Sequence, residues 1–103
     1  MSSATDGLAL HLHRDEPGRR YLAELDGTVV GAAHFRADPD QVIFTHTEVD
    51  DAFAGQGVAS ELIRWALDDV RAHGQLVRPD CPFVRAFIER HPSEYADLVR
   101  PAG

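Results

Sequence analysis

Cysteine occurs once among the 103 residues, so the chain forms no internal disulfide, and a reducing, cytoplasmic setting is the expectation. Basic side chains are outnumbered: 10 Lys and Arg stand against 17 Asp and Glu, for a formal charge of −7. That balance offers no general basic face, so neither nucleic acid nor an anionic membrane is expected as a partner. No apolar run approaches the roughly 20 residues that cross a bilayer. The opening MSSATDG lacks the basic and apolar regions of a secretory signal and reads as a disordered lead-in over residues 1–7. Internal repeats and low-complexity tracts are missing too. What remains is one domain, residues 8–103, with 44% hydrophobic and 26% charged residues. Those fractions are ordinary for a globular protein with a single core.

The apolar pattern divides that domain in two. LALHLH (Leu8 to His13) alternates Leu8, Leu10 and Leu12 with Ala9, His11 and His13, the period of a half-buried strand. After RDEPG, RRYLAEL (Arg19 to Leu25) begins a second strand, and Asp26-Gly27 supplies a hairpin turn because glycine tolerates positive φ. TVVGAAHFR is a third strand, its Gly31 and alanines marking close packing or a bulge. QVIFTHTEV (Gln41 to Val49) is a fourth.

From Gly57 to about His73, Val58, Leu62, Trp65, Ala66, Leu67 and Val70 recur at helical spacing, and His73-Gly74 closes the helix. On this pattern Trp65 is core, and Asp68-Asp69 belong to the solvated side. QLVRP is a short fifth strand. PFVRAFIERH is a second helix, opened by Pro82 and stopped by Pro92, and SEYADLV is a final turn or helix. The predicted fold class is α+β: a four-stranded antiparallel meander, then α-β-α, with helices covering an open sheet.

The junction FAGQGVAS, from Phe53 to Ser60, places Gly55 and Gly57 where a strand gives way to the long helix. The first amides of a helix lack intrahelical acceptors and carry the positive end of the dipole. Glycines there remove side chains that would keep a phosphate away from those amides, which makes a natural pyrophosphate cradle. A plain strand-to-helix connection that binds nothing has the same spacing. It is not a Walker loop, because no Gly-Lys-Ser/Thr follows. A dinucleotide Rossmann turn fits poorly, since the glycines come after a meander.

The stretch FTHTEVDDAFAGQGVASELIRWALDDVRAHG resembles the acetyl-CoA-binding segment of the GNAT superfamily of N-acetyltransferases, with its Gln/Arg-x-x-Gly-x-Gly/Ala pattern at a helix start. Gly57 and Ala59 match the last two positions, and Ala54 stands where Gln or Arg is usual. FTHTEV, AGQGVAS and the tail VRPDCPFVRAFIERHPSEYADLV are together similar to a small single-domain branch, the YjdJ-type GNAT-like acetyltransferases. Members of that branch lack the helices that larger relatives insert after the first strand, and RDEPGRR leaves no room for them here.

The resemblance implies acetyl-CoA as donor co-substrate and an amine as acceptor, either a small cationic amine or a protein lysine. It also implies a sheet whose fourth strand splays from the fifth, with the pantetheine arm in the gap. Main-chain groups around Thr47 to Val49 would then pair with pantetheine. The amides of Gly55, Gln56, Gly57, Val58, Ala59 and Ser60 would hold the pyrophosphate. Glu48 ends the fourth strand near where the thioester should lie, and shares a strand face with His46, so both are candidate proton acceptors. Cys81, just before Pro82, is expected at a helix N-terminus with Asp80 beside it. Its open roles are an acetyl-carrying nucleophile, an acid for the CoA thiolate, or a small apolar filler. His91 and Tyr95 close the tail and are candidate cofactor contacts; Tyr95 bears on the CoA arm or the thiolate, or else the pair is a helix stop and a packing aromatic.

The six histidines invite a metal reading. His11 and His13 share a strand face, and His34 and His46 can approach on the adjoining hairpin. Without a second cysteine or a helical His-x-x-x-His, no metal site is expected. Two other functional classes stay open: an acyl-CoA-binding module without catalysis, and a thiol protein using Cys81 alone.

Overall fold

The computed structural model describes residues 9–99; the expected lead-in, residues 1–7, lies outside them. Strands β1 (Leu10–Asp15), β2 (Arg20–Leu25), β3 (Thr28–Asp38) and β4 (Gln41–Val49) pair antiparallel in chain order. Between β2 and β3, Asp26 and Gly27 take φ of 52° and 80°, the positive pair that matches a two-residue turn to strand twist. After β4 the chain makes a 3-10 turn over Asp51–Phe53 and enters helix α1 (Val58–Ala72). Strand β5 (Leu76–Pro79) returns parallel to β4, so α1 is the crossover that a parallel pair requires. Helices α2 (Pro82–Arg90) and α3 (Pro92–Tyr95) and a 3-10 turn at Ala96–Leu98 complete the α+β fold. No helix among the described residues is long and apolar enough to cross a membrane.

Two bulges adjust the meander. Ala23 faces Gly31 but Glu24 faces Val29, so Val30 is an extra residue on β3. His34 faces His46 but Phe35 faces Phe44, so Thr45 is an extra residue on β4. The expected close packing at Gly31 is present as well: a Cβ there would stand 3.2 Å from Val58 Cγ1, the first residue of α1.

Side chains alternate across the sheet. One face carries Tyr21, Ala23, Ala33, Phe35, Val42 and Phe44 into the core, where they meet Leu62, Ala66 and Val70 of α1 and Val84 and Phe87 of α2. Truncating a fully buried member such as Leu62 would cost about 2–5 kcal/mol. Tyr95 of α3 and Leu98 join the same core. The other face, with Arg20, Leu22, Ala32, His34, His46 and Glu48 in register, carries no helix of the described chain. Its Leu22, Ala32 and Ile43 are still buried, sheltered by the longer polar side chains around them.

Two sequence expectations about α1 are refined. Asp68 is exposed, as expected, and Asp69 half-buried, but both anchor hydrogen bonds: the Tyr21 hydroxyl donates to Asp69 Oδ2 at 2.8 Å, and the Tyr95 hydroxyl donates to Asp68 Oδ1 at 2.8 Å. Trp65 is only half-buried, set edge-on to Tyr21 with ring centroids 5.8 Å apart.

Candidate active site

The pairing of β4 with β5 covers only Gln41 to Phe44. A last main-chain bond, from the Cys81 amide to the Phe44 carbonyl at 2.8 Å, closes the apex. Beyond it β4 continues beside β3 to Val49, but its other edge has no strand partner. The Asp50 amide donates to the Val30 carbonyl at 2.8 Å, so Asp50 points its main-chain groups at β3. Alternation then turns those of Thr47 and Val49 to the open edge. Those are the residues from which pantetheine pairing was expected.

The glycine turn follows. Gly55 and Gly57 take φ of 78° and 81°, values that L side chains rarely adopt. Gly57 is the N-cap residue of α1 and supplies no side-chain cap, so the helix-start amides depend on water or a ligand. A Cβ on Gly55 would meet no atom within 4 Å; it would project into open space. Beside the turn lies a cleft of about 330 Å³, lined among others by Val49, Gly55, Gly57, Val58, Ala59 and Ser60. Each of these was singled out from sequence.

Ala54, Phe53 and Phe83 complete the lining. Phe53 belongs to the 3-10 turn and Phe83 to the first turn of α2. The aromatic pair was missed because Phe83 reaches the cleft only through the β5–α2 connection, which no local pattern reveals. Gln56 is exposed, its side-chain amide donating to the Ala52 carbonyl at 3.4 Å.

Inward from Val49 and Phe83, two residues back on each arm, stand Thr47 and Cys81. On an extended strand that step is roughly 6.6 Å. Thr47 Oγ1 and Cys81 Sγ lie 3.3 Å apart, a hydrogen bond across the narrow end of the opening. Cys81 is the N-cap residue of α2, as expected, with Pro82 opening the helix, and it is buried.

Glu48 and His46 lie on the other, helix-free face. The Glu48 carboxylate is 3.0 Å from His34 Nε2 and 3.7 Å from His46 Nε2. Hydrogen bonding from His34, with smaller contributions from the charges of His34 and His46, holds its pKa below the usual glutamate range. The His34 and His46 rings stack with centroids 5.8 Å apart. His34 was considered only as a metal ligand; register sets it opposite His46 and diagonal to Glu48, which its side chain reaches. Among the described residues, no group of three or more His, Cys, Asp and Glu side chains is arranged to hold a metal ion.

His91 and Tyr95 sit elsewhere. The His91 ring lies 4.5 Å from that of Phe87, and its Nδ1 is 3.3 Å from Glu94. Tyr95 is buried, its hydroxyl bonded to Asp68 and receiving a 3.3 Å bond from Arg64. Burial, then the bond to Asp68, pushes its pKa up to about 12. Its hydroxyl is committed to α1.

Comparison with known proteins converges on one family. The family model of the GCN5-related N-acetyl-transferases matches residues 20–98. Protein NATD1 of Bos taurus is 29% identical over 108 residues, covering 92% of this chain and 87% of that protein. The solution structure of a GCN5-like candidate N-acetyltransferase from Staphylococcus aureus superposes with a TM-score of 0.68 at 21% identity, covering 91% of each chain. N-acetylglutamate synthase of Neisseria gonorrhoeae, complexed with coenzyme A and N-acetyl-glutamate, gives a TM-score of 0.57 at 20% identity over 84% of this chain and 22% of that one. The open sheet, the glycine turn and the family match together establish that this chain belongs to the GCN5-related N-acetyltransferases.

Proposed function

We propose that the chain transfers an acetyl group from acetyl-CoA to an amine. The observation that carries this reading is the continuity of one opening. A strand edge with unpaired main-chain groups at Thr47 and Val49 leads to a glycine turn whose missing side chains leave the helix-start amides accessible. A pantetheine arm ending in a pyrophosphate has that sequence of groups: amides first, then anions. The coenzyme A complex of N-acetylglutamate synthase supports the same donor here.

Four tasks fall to named residues. Main-chain groups of Thr47 and Val49 hold the donor extended. The amides from Gly55 to Ser60 neutralise its phosphates. Glu48, held ionised by His34, receives the ammonium of the acceptor and takes its proton. The freed amine then forms a C–N bond at the thioester carbonyl as the C–S bond breaks; Cys81 or water protonates the departing thiolate, and the remaining amine proton passes to that donor to restore it. The charge of −7 favours a cationic acceptor, small or a lysine side chain. A second route is favoured by the placement of Cys81 Sγ at the narrow end. In it the thiolate attacks the thioester, CoA leaves with the thiol proton, and the acetyl group waits on sulfur for the amine.

Calorimetric titration with acetyl-CoA, with ATP as the phosphate-bearing control, tests the donor. Saturable binding of acetyl-CoA alone is the expected result. Binding of neither would overturn the reading and leave a thiol protein. Binding without transfer to any amine would leave a non-catalytic module. Intact mass after incubation separates the two routes. Because Cys81 is the single thiol of the sequence, a hydroxylamine-labile thioester adduct would report it directly.

A further inference from the structure

We propose that a second cleft, on the helix-free face of the sheet, is the docking site for the acceptor, and that the acceptor carries a carboxylate beside its amine. The ligand class is a free amino acid. This rests on the transferase reading above and deepens it.

The cleft holds about 260 Å³. Ala32, flanked in register by Leu22 and Glu48, lies in its lining. The main chain of Gly31 extends the floor, and Val29 borders it. Val29 is the exposed large hydrophobic residue of the described chain, at 45%, and lies where an amino-acid side chain would rest.

The charged groups around this floor are of both signs and on opposite sides. Arg20 comes from β2, and Glu48 and Asp50 from the end of β4. Arg20 and Glu48 are two strands and two residues apart, roughly 12 Å on the diagonal. The Arg20 guanidinium uses Nε on Asp15 at 3.0 Å, leaving its Nη groups to receive a carboxylate in forked geometry. On the other side Glu48 has its histidine bonds, and Asp50 Oδ1 accepts from the Ala52 amide at 2.9 Å. Each carboxylate keeps acceptor capacity for an ammonium. A simple amine would leave the guanidinium side unused, and a dicarboxylate would meet like charge at Glu48 and Asp50.

Position ties the cleft to the reaction. Val49 lines both this cleft and the donor cleft. The two clefts therefore adjoin at the end of one strand, with Glu48 on the acceptor side and Val49 shared between them.

The test compares L-alanine and L-lysine with their carboxamides as acceptors, following thiol release from acetyl-CoA. The acids are expected to show a KM at least about tenfold below the amides, the worth of one charge-assisted contact. Arg20→Gln should bring that ratio close to one. Equal KM values in the unmodified protein, or a ratio that survives Arg20→Gln, would overturn the proposal. A binding readout independent of turnover uses the unmodified protein without acetyl-CoA: L-alanine titrated against the backbone amide resonances of Gly31, Ala32, Val49 and Asp50. Saturable shifts confined to these residues support the site even if acetyl-CoA fails to bind, and their absence removes it even if acetyl transfer to other amines is found.

Discussion

Replacing Gly55 by alanine separates what the backbone requires at this glycine from what the ligand requires. At φ 78° an alanine adopts a left-handed conformation at a cost of about 1 kcal/mol, which lowers the melting temperature of a domain this size by about 4–8 °C. No atom lies within 4 Å of the added methyl, so a steric penalty in the free protein is absent. In the complex that methyl would stand where phosphate oxygens meet the turn. Losing one amide-to-phosphate bond there costs about 1.5–3 kcal/mol, or about 10- to 100-fold in acetyl-CoA affinity. Gly27→Ala is the matched control. Its φ is 80° and its added methyl also meets nothing within 4 Å, but it lies in the β2–β3 hairpin. Thermal melts should show similar losses for both variants, and calorimetry should show lost acetyl-CoA affinity for Gly55→Ala alone. Equal affinity for the two variants would refute the assignment of the turn to phosphate.

Cys81→Ala should abolish any hydroxylamine-labile acetyl adduct in intact mass spectra, with about 1 kcal/mol lost from removing a buried sulfur; an adduct that persists would place the acetyl group elsewhere. His34→Ala should raise the Glu48 pKa toward the ordinary glutamate range, since the His34 bond is the main cause of its depression. A folded pKa below the unfolded one means that the pair contributes stability above the unfolded value and loses it as pH falls through the lower folded value. Carbon NMR titration of the Glu48 carboxyl would show the change, and an unchanged midpoint would deny His34 its role. Tyr95→Phe removes the 2.8 Å bond to Asp68 and should cost about 1 kcal/mol in a denaturant melt while leaving acetyl-CoA affinity unaltered. A tenfold loss of affinity would bring Tyr95 back to the donor site.

The cleft at the glycine turn was largely legible in the sequence because its residues are local. Gly55, Gly57 and the residues after them are contiguous, and a helix start exposes amides wherever it occurs. Alternation along β4 likewise placed His46 and Glu48 on one face. What the sequence concealed came from pairings between distant segments. The extra residue at Thr45 shows only in the register with β3. Phe83 enters the cleft from across the splay. Helical periodicity marked Asp68 and Asp69 as facing away from the apolar stripe, which is true of their Cα positions. It could not reveal that hydroxyls from Tyr95 and Tyr21, 27 and 48 positions away, would reach them. Tyr95 itself was assigned by resemblance, and the bond to Asp68 places it against α1.

Those two adjacent aspartates bear on how the domain folds. Asp69 secures the first hairpin through Tyr21, and Arg14 of β1 lies 3.4 Å from the same carboxylate oxygen. Asp68 secures the last helix. One turn of α1 thus joins both ends of the described chain, so neither end is an autonomous cooperative unit. Native-state hydrogen exchange should find the amides of the β1–β2 hairpin and those around α3 opening at a common free energy, with the middle of α1 the last to exchange.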